Sequence, residues 1–83
     1  MIFSIVMEYF YQGIGKRIRR SREAEEYTQE ELATFIDLDK DMLIAFEEGR
    51  KRIFIDYLSK LAEVLEVTTD YLIYGNKNSN LNI

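Results

Sequence analysis

The chain has 83 residues, no cysteine, no histidine and a net charge of −4, which leaves room for one small core and no more. Without cysteine there is no disulfide framework and no thiolate metal site, and without histidine the commonest general base and zinc ligand are gone. No cofactor or metal is expected, and an enzyme built on this chain would have only carboxylates to do its chemistry.

Residues 1–13 read as a short apolar N-terminal arm. The run "IFSIVMEYFY" is rich in β-branched and aromatic types, so it leans to strand, with an N-terminal extension of the first helix as the alternative. A lone strand needs a partner for its backbone, so the arm packs either on its own domain or on a second copy. It lacks a basic leader and carries Glu8, unlike a signal peptide, and Met7 is an alternative start. No apolar run reaches the roughly 20 residues that span a bilayer, so no membrane contact is expected and the cytoplasm is the default compartment.

From residue 14 the helical period takes over. In "IGKRIRRSREAEE" the spacing puts Ile14, Ile18 and Ser21/Arg22 on one face, with long basic side chains elsewhere. "YTQEELATFI" opens on Thr28 and Glu31, the Thr-x-x-Glu capping box, and continues into a stripe of Leu32, Phe35 and Ile36. Asp39 is the N-cap of a third helix that runs to Glu48 and stops at Gly49, with Leu38, Leu43 and Phe46 turned inward. "IDYLSKLAEVL" aligns Ile55, Leu58, Leu61, Ala62 and Leu65, and "TTDYLIYG" is a short capped helix with Leu72 and Ile73 inward and Gly75 closing it. The expected fold is all-α, a compact five-helix bundle over residues 14–75, followed by a polar tail at 76–83.

Charge is distributed in blocks. Ile14 to Arg22 holds five basic residues and no acid; Glu23 to Glu48 holds ten acids and one lysine; Arg50, Lys51 and Arg52 then come in a row. The basic first helix is either a nucleic-acid-facing surface or a solvated face that offsets its neighbours. The cluster Glu23/Glu25/Glu26/Glu30/Glu31 lacks the loop and glycine of a calcium site and reads as solvated surface.

The ordered landmarks "IGKRIRRSRE", "TQEELA", "FEEG" with basic residues after it, "LSKLAEVLEV" and "TTDYLIYG" resemble the Cro/repressor-type (XRE, lambda-repressor-like) helix-turn-helix family. The resemblance covers residues 14–75. It implies that the second and third helices form the helix-turn-helix and that the chain is a transcriptional regulator, a homodimer on palindromic double-stranded DNA. By position, Lys40, Asp41, Ile44 and Ala45 would face base edges in the major groove, while Thr28, Gln29, Arg50, Lys51 and Arg52 would meet phosphate. Arg22 and Glu47 fall where the family ties the first helix to the third by an ion pair. Glu26 and Asp37 stand where the family has glycine; aspartate tolerates left-handed geometry, so the change at Asp37 is mild, while Glu26 suggests a different end for the first helix. Asp41 and Glu48 give the third helix an acidic outer face, so the alternative is a protein partner with a basic rim, in the manner of an antirepressor.

Overall fold

The computed structural model describes residues 2–76. Five helices succeed one another: α1 (Ile2–Ala24), α2 (Gln29–Phe35), α3 (Lys40–Glu47), α4 (Ile55–Leu65) and α5 (Thr69–Tyr74). The expected tail lies outside the described residues, apart from Asn76.

The arm is helix rather than strand. α1 runs unbroken through residue 13, because the packed part of the helix supplies a nucleus and each further residue then gains a hydrogen bond. Strand preference is a statement about pleated, half-buried surroundings, and no strand exists among the described residues to provide them.

The core gathers Ile14, Ile18, Leu32, Ile36, Leu43, Leu58, Leu61, Leu65 and Leu72. α1 lies across α3 and α5 and touches α4, α2 packs on α3, and α4 packs on α5. Two residues expected inside are outside: Phe35 is 55% exposed and Ile55 64%. Phe35 instead meets Tyr27 edge-on at 5.1 Å, and Ile55 occupies the first turn of α4, on the rim of a surface pocket that Phe10, Tyr11 and Tyr74 also line.

Both expected caps form. Thr28 accepts from the Glu31 amide at 3.0 Å while Glu31 accepts from the Thr28 amide at 2.9 Å, and Asp39 accepts from the Asp41 amide at 3.1 Å. Four helices end in one way: a residue with positive φ, then an amide that bonds back five residues. The left-handed residues are Glu26, Asp37, Gly49 and Glu66, and the returning bonds are Tyr27 to Arg22, Leu38 to Ala33, Arg50 to Ala45 and Val67 to Ala62. The end of α1 therefore keeps the geometry that glycine would give, with Glu26 at φ 60°. Tyr27, Leu38 and Val67 pack against the core, and this apolar contact helps to hold the preceding acidic residue in a conformation it disfavours.

Candidate functional site

The site is built on the junction between α1 and α3. Gly15 is buried where α1 crosses the end of α3, and a Cβ there would overlap the carbonyl oxygens of Phe46 and Glu47. That contact brings Arg22 to Glu47. Arg22 Nε donates to Glu47 Oε2 at 2.7 Å and Nη2 to Oε1 at 3.0 Å, a two-pronged pair whose planar geometry suits guanidinium and carboxylate. Its hydrogen bonds to Glu47 hold the Arg22 guanidinium above its ordinary value, against the opposing effect of burial. Arg22 also donates to the Tyr27 carbonyl at 2.9 Å, so one side chain secures α1, the first turn and α3.

Glu47 takes two further bonds. The Gln29 amide donates to it at 2.9 Å, and Arg19 approaches at 3.4 Å from a half-exposed position. Gln29, expected at phosphate, thus has one of its two amide hydrogens committed inside the domain, which fixes the side chain at the start of α2.

α3 turns a narrow ridge outward. Lys40 and Asp41 are exposed and Ile44 half-buried. Ala45 is 3% exposed, so the position that helical spacing sets beside Asp41 is closed by the domain itself and drops out of the base-facing set. A methyl group is too short to project past surrounding packing. Asp39 is occupied as the N-cap, and the exposed acid Glu48 receives Arg50 Nε at 2.8 Å. Lys51 and Arg52 come next, exposed, on a loop anchored to α1 because Gly49 abuts Gln12. The same loop and the Phe3–Tyr11 stretch of α1 flank a shallow cleft.

The helix-turn-helix family described as HTH_3 matches residues 18–72, the span holding α2, α3 and the Arg22–Glu47 pair. The chain belongs to this helix-turn-helix family. It is 30% identical over 61 residues to the SPbeta prophage-derived HTH-type transcriptional regulator YonR of Bacillus subtilis, covering 74% of this chain and 56% of that one. With the HTH-type transcriptional regulator ImmR of the same organism it shares 32% identity over 70 residues, 84% of this chain and 55% of the relative. The chain thus spans little more than half the length of these relatives. The restriction-modification controller protein C.AhdI from Aeromonas hydrophila superposes with a TM-score of 0.71 at 29% identity, over 75% of this chain and 94% of its own.

Two structural residues of this helix-turn-helix domain escape a reading by period and motif. Gly15 is one, since nothing in its neighbourhood marks it as a crossing point. Arg17 is the other: it reads as one more solvated cation, yet its Nε donates to Leu72 O at 2.8 Å and its Nη2 to Ile73 O at 2.6 Å. Burial holds its guanidinium below the ordinary value, and the side chain closes the C-terminal end of α5. No helix among the described residues is long and apolar enough to cross a membrane.

Proposed function

We propose that the chain is a DNA-binding transcriptional regulator, a homodimer that reads a two-fold symmetric operator with α3 in the major groove. The observation that carries this reading is the outward ridge of exposed Lys40 and Asp41 and half-buried Ile44, with the exposed Arg50, Lys51 and Arg52 shortly after it. Lys40 has the chemistry to donate to guanine O6 or N7, Asp41 to accept from cytosine N4, and Ile44 to meet a thymine methyl. The three loop cations, with Thr28 and Gln29 at the start of α2, supply phosphate contacts that set register without reading sequence. A domain this small makes few such contacts, so a dimer is needed for useful affinity. The similarity to HTH-type transcriptional regulators and to a restriction-modification controller protein supports the same role.

The pairing of Glu48 with Arg50 bears on the acidic face. It leaves Asp41 and Asp37 as the uncompensated acids along the ridge, one of them a readout group. The competing reading, a protein partner with a basic rim, rests on those same acids.

Selection from a random duplex pool, with binding then measured at two salt concentrations, tests the proposal. Enriched sequences should have two-fold symmetry, and affinity should fall steeply with salt. Arg50→Glu should weaken every duplex alike, whereas Lys40→Ala should also change the preferred sequence. If no duplex binds even at low salt, the DNA reading fails and the protein-partner reading takes its place.

A further inference from the structure

The first two turns of α1 carry an apolar face that this fold cannot cover. Of the nine large hydrophobic residues left exposed among the described residues, five lie in residues 2–9: Ile2 at 81%, Phe3 at 75%, Ile5 and Val6 at 55% and Tyr9 at 73%. At about 100° per residue, Tyr9 points away from the side occupied by Ile18, and Ile2, Ile5 and Val6 cluster around Tyr9. The inner side of the helix, by contrast, runs down through Phe10 and Tyr11 into the core at Ile14 and Ile18. Further along the outer side, the stripe passes into Lys16 and Arg20, which are solvated. The apolar stripe therefore ends where the domain proper begins. It also lies outside residues 18–72, the part that the family shares.

We propose that this stripe is a homodimer seam, in which the α1 ends of two copies pack side by side about a twofold axis. Three observations favour a second copy as the occupant. The stripe is a single helical ridge (2, 5, 6, 9), and a ridge of that spacing packs against its own symmetry mate without needing a different surface. Its extent approaches what is needed: the four stripe side chains, with Phe3 on their flank, expose on the order of 600 Å² per copy, against the ~800 Å² per partner of stable interfaces. Its charge is also permissive, since Glu8 is the sole charged residue from position 2 to 15 and neither strong repulsion nor a complementary charged partner is written into it. A helix lying on a membrane surface would instead carry lysine or arginine along its polar side, and this segment has none.

The seam deepens the proposed function, whose homodimer it would supply, but its test does not use DNA. The basic loop lies across the cleft from Phe3, Met7 and Glu8, so pairing the α1 ends would set the two copies' Arg50–Arg52 loops on either side of the dyad.

Sedimentation velocity on the chain over a wide concentration range, without DNA, reads the association. The wild type should be a dimer. Ile5→Glu and Val6→Glu should each raise the dissociation constant at least about 100-fold, because symmetry places every substitution in the seam twice. Neither variant should alter the thermal midpoint measured at concentrations where both proteins are monomeric, as both side chains are exposed. A monomeric wild type, or a dimer indifferent to both variants, overturns the seam. So does a dimer lost with Tyr74→Glu yet intact in the α1 variants, which would move the interface to the α4–α5 rim. Partition of a monomeric chain onto phosphatidylcholine vesicles overturns it as well. A seam-dependent dimer that binds no duplex leaves this inference standing and removes the DNA reading.

Discussion

Glu47 shows how one buried acid acquires a structural role. It is 3% exposed and accepts from Arg22 twice, from Gln29 and from Arg19. Removing it leaves the Arg22 guanidinium buried without its counter-ion, and Glu47→Ala should cost about 3–5 kcal/mol in urea unfolding. The double variant Arg22→Met, Glu47→Leu should recover much of that loss. Because the pair raises the Arg22 pKa, the stability gained from that charge is fully present below the ordinary guanidinium range and disappears only as pH climbs through the raised value. Its contribution is therefore constant across neutral pH. Glu48 is the opposite case, exposed and paired with Arg50 on the surface. Glu48→Gln should release Arg50 and remove a charge that repels phosphate, strengthening duplex binding by roughly 1 kcal/mol, about fivefold, in anisotropy titrations. Unchanged or weaker binding would count against contact between DNA and this end of α3.

Among the elements, the helix ends are where this chain departs from an economical design. Glu26 and Glu66 sit at φ 60° and 59°, where a side chain is strained, and each places a negative charge at a helix C-terminus. Glu26→Gly and Glu66→Gly should each stabilise the domain by about 0.5–1 kcal/mol in thermal melts, and Asp37→Gly by less, since aspartate tolerates this region better. Equal gains at all three sites would show that the backbone preference does not control these turns. α5 has only six residues and depends on help from outside itself. Arg17→Ala should strip the Leu72 and Ile73 carbonyls of their partners, lower stability by about 1–2 kcal/mol and speed amide exchange in α5 before the rest of the domain.

At the scale of the whole molecule, the placement of α3 depends on how closely α1 can approach it. Gly15→Ala puts a methyl group into two backbone carbonyls at that crossing, and neither carbonyl can move without shifting the end of α3. A loss of at least about 2 kcal/mol is expected, with a weakened Arg22–Glu47 link. Gly13, two residues earlier and half-buried, would bring its Cβ no nearer than 3.4 Å to the flexible Arg17 guanidinium, so Gly13→Ala is the matched control. If the two variants unfold at the same urea concentration, the crossing is not the constraint it looks to be.

What the sequence determined by itself was local or carried by the family resemblance. The Thr28–Glu31 box, the Asp39 cap and the stops at Gly49 and Gly75 involve residues within five positions of one another, so their chemistry is complete in the sequence. The Arg22–Glu47 pair spans 25 positions and was legible only because the family places an ion pair there. Tertiary structure decided which part of each apolar stripe is covered. Helical period marks Phe35, Ile55 and Ala45 equally well on either side of the surface, because it gives a direction from the helix axis and says nothing about what stands opposite. It likewise could not separate Arg17, aimed at the end of α5, from the solvated cations around it. The N-terminal segment is the largest such case: its composition suits a strand, but a packed helix adjoining it gave the backbone hydrogen bonds at lower entropic cost, and Ile2, Phe3, Ile5, Val6 and Tyr9 were left exposed.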